Sequence, residues 1–232
     1  MELFNRFPIE RIMAIFAHPD DAEAAAGGTL RSYASEGSKI HLLTIAKGEK
    51  GRGESDDRDG ESIQASQILG ISRSESLGYN DGEFDNDLEL RKLLTEKIRT
   101  VKPQLVICPD PTAVFFSHAY VNHRDHRQTG WAVLDVVSSA VGNPKYFSTS
   151  PAHNVEHLLC AGSLEPNCVI DISSTIEQKV KAVQCYKSQI GERSDEVKIS
   201  IMEAAQNVGR EVGVKFGEAF RYCALGGVSE QV

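Results

Sequence analysis

Short apolar runs alternate with helix-like stretches through the first two thirds of the chain, and this alternation is the strongest constraint on its fold. Residues 11–17, 39–46 and 104–108 are apolar runs of strand length, each bounded by polar residues. Apolar side chains at helical spacing predict helices over residues 21–35, 58–69 and 87–101. Strands and helices in this order form right-handed crossovers, so we predict an α/β fold with a mostly parallel sheet covered by helices on both faces.

The rest of the chain continues this pattern less regularly. Residues 75–79 predict a short strand before an Asn-Asp-Gly turn, and a helix is expected from residue 125 or 126 to residue 141. Further on, we predict a strand over residues 168–172 and helices over residues 174–188 and 199–212. Because no linker separates these elements, residues 1–232 are predicted to form one domain.

Composition excludes several classes of protein. The net charge of −8 gives no reason to expect a nucleic-acid partner, and no apolar run approaches the roughly 20 residues that a membrane span requires. The N-terminus lacks the pattern of a signal peptide. The five cysteines are scattered and never spaced as CxxC, which argues against a disulfide framework and against a cysteine zinc site. This pattern favours a protein of the reducing cytoplasm.

Two polar motifs follow predicted strands. HPDD at residues 18–21 comes directly after the first strand, and HRDH at residues 123–126 comes after the strand at 104–108 and a long loop. Ligand sites of open α/β sheets lie outside the carboxyl ends of the strands, so we expect the two motifs to meet there.

Together the motifs contain the side chains of a hydrolytic metal site. His18 and Asp21 can converge on one ion, and His126 would complete a set of three ligands that leaves a position open for water, as in catalytic zinc sites. The ion would lower the pKa of that water and polarise an acyl carbonyl. Asp20 is then the candidate general base.

The second motif offers two further groups. His123 is predicted to protonate or hydrogen-bond the oxyanion, and Asp125 is predicted to hold His123 in one tautomer. A simpler interpretation is that Asp20 or Asp21 caps the following helix and that the histidines are solvated. The occurrence of both motifs at strand ends favours the metal site.

The chain resembles the PIG-L/LmbE-like zinc deacetylase family. The resemblance rests on HPDDAE at residues 18–23 paired with HRDH at residues 123–126, and it covers nearly the whole chain. Other matching segments are GGTL at 27–30, RDGE at 58–61, LGYNDG at 77–82, PQLV at 103–106, VIDIS at 169–173 and GVKFGEAF at 213–220.

The resemblance implies a Rossmann-like three-layer sandwich and a site. By this resemblance, the zinc ligands are His18, Asp21 and His126, the catalytic residues are Asp20, His123 and Asp125, and the residues that contact the sugar are Arg58 and Asp81. Zn²⁺ is the expected cofactor, although Fe²⁺ can also use two histidines and an aspartate.

The resemblance also implies a function. Family members remove the N-acetyl group from N-acetylglucosamine in small conjugates or chito-oligosaccharides, so a small amino sugar is the expected partner. We further expect a homo-oligomer. Two alternatives stay open within the fold: an amidase that releases a larger acyl group from a thiol-sugar conjugate, and a non-hydrolytic sugar- or metal-binding relative. A third alternative, outside this family, is a nucleotide-binding α/β protein.

Three residues, Arg58, Asp81 and Arg124, also have structural explanations that involve no substrate. Arg58 could pair with Asp56 or Asp57 at a helix start, and Asp81 could belong to a plain turn. Arg124 stands where the family motif usually has proline. It could meet an anionic substrate group or could simply face solvent.

Overall fold

A mixed sheet forms the centre of the molecule. The computed structural model describes residues 1–4, 7–51, 58–116, 118–147 and 150–225. Its strands are β1 (Glu2–Leu3), β2 (Arg11–Phe16), β3 (Lys39–Ala46), β4 (Arg73–Tyr79), β5 (Leu105–Pro109), β6 (Phe115–Phe116), β7 (Tyr120–Val121), β8 (His157–Ala161), β9 (Cys168–Asp171) and β10 (Gly217–Ala224). Within the described residues, eight of these strands form one sheet in the order β1-β9-β10-β8-β5-β2-β3-β4, and β6 pairs with β7 in a separate hairpin.

The sheet confirms the predicted α/β class. Strands β8, β5, β2, β3 and β4 are parallel neighbours. Strand β10 is antiparallel to both β8 and β9 and was not predicted. Four of its eight residues are glycine, glutamate, arginine and tyrosine, so its sequence lacks the continuous apolar run that identified the central strands.

Helices cover both faces of the sheet. They are α1 (Asp21–Ser35), α2 (Arg58–Leu69), α3 (Leu88–Val101), α4 (Arg124–Asp135), α5 (Ile176–Val183), α6 (Lys187–Ile190) and α7 (Ser194–Arg210), with a π-helical turn over Val136–Ala140. Apolar residues of α1, α5 and α7 share one buried cluster with the sheet, and those of α3 and α4 share another. The result is the expected three-layer sandwich. No helix in the described part of the chain has the length and hydropathy of a membrane span. The assignment of all 232 residues to one domain stays a prediction.

Close packing holds α1, whose N-terminus carries the HPDD motif, against β9 and β10. A Cβ atom at Gly28 would lie 2.8 Å from side-chain atoms of Ile172, so only glycine fits there. The Glu218 carboxylate accepts hydrogen bonds from the backbone N–H groups of Gly28 (3.0 Å) and Thr29 (2.8 Å). Lys179 pairs with the same carboxylate at 2.6 Å, in a buried position. This buried ion pair anchors the middle of α1.

A second buried cation organises the segment after α4. Arg99 of α3 is 1% exposed, and its guanidinium donates to backbone carbonyls only, among the hydrogen bonds found for the described residues. The accepting carbonyls belong to Ala140, Val141, Asn143, Tyr146, Phe147 and Ser150. One side chain therefore ties α3 to a long irregular segment.

Candidate metal centre

The HPDD motif lies in a tight connection between β2 and α1. Asp20 is the N-cap residue of α1 with φ 101°, a left-handed conformation that is rare for residues other than glycine, and its side chain makes no capping hydrogen bond. The backbone N–H of His18 donates to Asp21 Oδ2 at 2.8 Å. The alternative in which Asp20 caps the helix is therefore wrong, and the carboxylate of Asp21 is turned back toward His18.

The three predicted metal ligands converge. His18 Nδ1 lies 3.4 Å from Asp21 Oδ2, and His126 Nε2 lies 3.1 Å from Asp21 Oδ1. One donor atom from each residue can be chosen so that all lie within 4.8 Å of one another. Since the two motifs are more than a hundred residues apart in sequence, their meeting results from the sheet, which places the end of β2 beside the end of β5.

The electrostatics of the centre suit a cation. Burial alone would lower the pKa of His18, but contacts with the carboxylates of Asp21, Asp81 and Asp125 raise it to about 9. Burial would likewise raise the pKa of Asp21, but His126 and His18 lower it well below its ordinary value. Negative charge thus surrounds the imidazole nitrogens. Two imidazoles and a carboxylate are ligands that Zn²⁺ and Fe²⁺ both accept, so the donor set fits a divalent metal ion.

The Asp125 carboxylate contacts His18, not His123. Asp125 Oδ2 lies 3.1 Å from His18 Nε2 and accepts the backbone N–H of Gly82 at 2.7 Å. The expectation that this carboxylate orients His123 was therefore wrong, because Asp125 is 0% exposed in the first turn of α4 and points inward toward the end of β2. A carboxylate on the far nitrogen of a metal-binding imidazole fixes its tautomer and leaves Nδ1 for the metal.

His123 has a different local partner. It is the N-cap residue of α4, and its Nδ1 accepts the backbone N–H of Asp125 at 3.3 Å. Burial, followed by the nearby His18, lowers the pKa of His123, which favours the neutral ring. With Nδ1 accepting, the proton of the neutral ring is on Nε2. His123 can therefore donate a hydrogen bond from Nε2.

Asn122 is a site residue that the sequence analysis missed. Its Oδ1 lies 2.9 Å from His126 Nδ1, and its Nδ2 donates to the carbonyl of Ala113 at 2.8 Å. Asn122 thus holds the ring of His126 with Nε2 toward Asp21. Its place directly before the HRDH motif was the available signal, because Asn122 precedes the N-cap residue His123 and lies outside α4.

Asp20 has a charged neighbour. Arg58 Nη2 lies 3.9 Å from Asp20 Oδ2. Burial, followed by the nearby Asp21, raises the pKa of Asp20 to about 8, and Arg58 opposes this shift. A raised pKa suits a group that must accept a proton. The alternative pairing of Arg58 with Asp56 or Asp57 lies outside the described residues.

Asp81 and Arg124 make contacts that the sequence did not predict. Asp81 does lie in a turn, but its Oδ1 is 3.2 Å from His18 Nε2, so it belongs to the centre itself. Arg124 bonds to the carbonyl of Phe84 and the carboxylate of Asp85. These contacts hold the turn after β4 against α4, and neither interpretation of Arg124 anticipated them.

The PIG-L family sequence model, described as GlcNAc-PI de-N-acetylase, matches residues 13–137, which include both motifs. This chain belongs to the PIG-L family. A diacetylchitobiose deacetylase from Thermococcus kodakarensis is 27% identical over 95% of this chain and 85% of its own length. A probable N-acetyl-α-D-glucosaminyl L-malate deacetylase from Bacillus anthracis is 27% identical over 81% of this chain and 84% of its own length.

Solved structures agree with the PIG-L assignment. N,N'-diacetylchitobiose deacetylase from Pyrococcus horikoshii superposes with a TM-score of 0.84 at 25% identity, covering 93% of this chain and 84% of that one. A 4-carboxy-2-hydroxymuconate hydratase from Pseudomonas putida has the same fold, with a TM-score of 0.78 at 20% identity over 96% of this chain and 99% of that one. Since a hydratase shares the fold, the reaction of a PIG-L-like chain must be argued from its site.

The position of Asp125 leads to a prediction about metal affinity. Replacing Asp125 with asparagine should weaken metal binding by about 10–100-fold, because the amide lacks the charge that fixes His18. Competition with a chromophoric chelator measures this change. Asp195→Asn, at an exposed position in α7, is the matched control and should bind metal like the wild type. Equal affinities of the Asp125 variant and the control would contradict the assigned role.

Proposed function

We propose that this chain is a Zn²⁺-dependent hydrolase that removes the N-acetyl group from an N-acetylglucosamine-containing substrate, a small conjugate or a chito-oligosaccharide. One observation carries the proposal: His18, Asp21 and His126 converge, while the adjacent Asp20 makes no capping hydrogen bond. Relatives that span most of this chain are deacetylases of such sugars. The fold alone does not support one reaction over another, because a hydratase shares it.

Each side chain of the centre has a distinct task in this reaction. A Zn²⁺ ion held by His18, Asp21 and His126 would activate water and polarise the amide carbonyl. Asp20 accepts a proton from the attacking water and delivers it to the nitrogen of the departing amino sugar. His123 donates a hydrogen bond from Nε2 to the oxygen on which negative charge develops. Asp125 holds His18 in the required tautomer.

Two further residues are proposed to bind the sugar. Arg58 and Asp81 lie beside Asp20 and His18, respectively, and offer a donor and an acceptor for hydroxyl groups. The position of Asp81 supports a second role, because its carboxylate also favours a positive charge on the imidazole of His18. Cytoplasmic location and homo-oligomeric assembly stay predictions.

Metal removal tests the proposal directly. After treatment with a chelator, acetate release from N-acetylglucosamine conjugates should fall by at least about 100-fold, because the chain then lacks the activated water. Stoichiometric Zn²⁺ should restore it, whereas Mg²⁺, which prefers oxygen ligands, should not. Elemental analysis of the purified protein reports the resident metal and decides between Zn²⁺ and Fe²⁺.

The competing functions predict different results in the same assays. A non-hydrolytic relative would bind metal and release no acetate from any conjugate. A nucleotide-binding protein would show nucleotide affinity that does not depend on the metal. Acetate release that survives complete loss of metal would rule out the proposed mechanism.

A further inference from the structure

A cavity of about 310 Å³ borders the metal centre on one side. Two of the three proposed ligands, Asp21 and His126, form part of its wall. The rest of the wall is largely apolar and comes from β2, α1, the β6–β7 hairpin and the ends of β5 and β8. The remaining lining residues are Phe16, Ala24, Ala25, Pro109, Phe116, Tyr120, Asn122, Ala161 and Gly162.

The polar side chains beside the metal centre in this wall are already engaged with other protein groups. Asp21 contacts His18 and His126, and Asn122 uses its amide nitrogen and oxygen on Ala113 and His126. Tyr120 is 51% exposed, which places it at the cavity mouth. The inner wall therefore offers few donors or acceptors to a hydroxyl-rich sugar, whose buried hydroxyl groups would lose their hydrogen bonds to water.

The polar groups suited to a sugar lie elsewhere around the centre. Asp20, Arg58 and Asp81 are not among the described residues that line the cavity. An N-acylated amino sugar likewise has two unlike parts joined at the amide, a hydroxyl-rich ring and an acyl group. Matching the polar part to the polar side of the centre leaves the acyl group for the apolar cavity.

The cavity is much larger than an acetyl group requires. One water molecule takes roughly 30 Å³ of the liquid, and the methyl of an acetyl group is of similar size. A volume of about 310 Å³ is at the lower end of the range of small-molecule pockets. An acetyl substrate would leave most of this apolar surface unused.

We propose that this cavity is an acyl pocket and that the chain hydrolyses, besides N-acetyl substrates, N-acyl amino sugars whose acyl group is an apolar chain of about four to six carbons. This inference rests on the proposed amide hydrolysis. The reaction is the same for any acyl length: the amide C–N bond breaks, the oxygen of water forms the new C–O bond, and the products are a carboxylate and a protonated amine.

A chain-length series tests the acyl pocket. We expect kcat/KM of the metal-loaded protein to rise about fourfold per added methylene from N-acetyl- through N-butanoyl- to N-hexanoylglucosamine, since each methylene leaves water for an apolar surface. A kcat/KM that falls with chain length, together with metal-dependent acetate release, would overturn the acyl pocket and leave the proposed function standing. If none of the amides is hydrolysed, the proposed function fails and the inference fails with it.

A cavity-filling variant tests the location. Ala24 lines the cavity from an exposed position of α1, so Ala24→Leu should fill part of the cavity without disturbing the core. The ratio of hexanoyl to acetyl kcat/KM should fall by at least about tenfold. Ala204→Leu, at an exposed position of α7, is the matched control and should keep the wild-type ratio. Equal ratios in the two variants would place the acyl group elsewhere.

A binding measurement gives a readout without turnover. In the Asp20→Asn background, calorimetry should show N-hexanoylglucosamine binding at least about tenfold more tightly than N-acetylglucosamine, because the extra methylenes are buried. Adding Ala24→Leu should remove most of that difference. Equal affinities for the two sugars in the Asp20→Asn background would argue against an acyl pocket.

Discussion

Replacing Asp20 with asparagine should lower kcat for acetate release by about 10²–10⁴-fold, the usual contribution of a general base, while the protein keeps its metal. The reason is chemical, because the amide cannot accept the proton of the attacking water. The proposed role is distinct from the proposed metal binding, because Asp20 lies beside Arg58, whereas the neighbouring Asp21 contacts His18 and His126.

Asparagine is the appropriate replacement because of the backbone. Asp20 has φ 101°, and asparagine tolerates the left-handed region better than alanine does. The side chain of Asp20 makes no capping hydrogen bond, so the substitution removes no helix cap. A loss of activity can therefore be assigned to the missing carboxylate and not to a disturbed start of α1.

The measurement pairs steady-state kinetics with elemental analysis of the same sample. Asp59→Asn, at an exposed position in the first turn of α2 and next to Arg58 in sequence, is a matched change of charge and should retain wild-type kcat. Turnover by Asp20→Asn within about threefold of the wild type would remove Asp20 from the proton-transfer step. Loss of the metal would instead show that Asp20 supports the metal ligands.

Replacing Arg99 with methionine should lower the free energy of unfolding by about 3 kcal/mol. The guanidinium is buried and donates to six backbone carbonyls between residues 140 and 150. Each buried carbonyl that loses its partner costs about 1–3 kcal/mol. Some of the six keep another partner, such as the carbonyl of Val141, which also accepts the N–H of His153, so the total is smaller than a simple sum.

Two other variants refine this result. Arg99→Lys keeps the positive charge but cannot reach all six carbonyls from one ammonium group, so its stability should fall between those of the methionine variant and the wild type. Arg210→Met, at the exposed end of α7, controls for the loss of a surface arginine and should change stability by less than about 0.5 kcal/mol.

Urea denaturation followed by circular dichroism gives the free energies of unfolding. If the free energy of unfolding of Arg99→Met is within about 1 kcal/mol of the wild type, the backbone carbonyls after α4 find other hydrogen-bond partners in the protein or in water. In that case the buried guanidinium would contribute little net stability, as buried charges sometimes do.

Elements with a strong local signal were predicted well. Helix α1 and strand β3 have the expected bounds, and α3 differs by one residue. The helix expected over residues 174–188 is instead two helices, α5 and α6, with a break between Val183 and Lys187. The helix expected to reach residue 141 continues past α4 only as a π-helical turn. Strands β8 and β10 were missed because they are short or mixed in polarity and form only when neighbouring strands are in place.

The candidate site was likewise predictable only in part. That the imidazoles and carboxylates of the two motifs would come together was predictable from residue order, because each motif directly follows a strand or opens a helix. The partners of those side chains were not readable. The Asp125 carboxylate lies within hydrogen-bond distance of His18, which is 107 residues away in sequence. The Arg99 guanidinium donates to carbonyls more than 40 residues away in sequence. Hydrophobic periodicity shows only which face of a helix or strand is buried. The long-range hydrogen bonds and the cavity beside the metal centre depend on how the layers pack, which the periodicity does not contain.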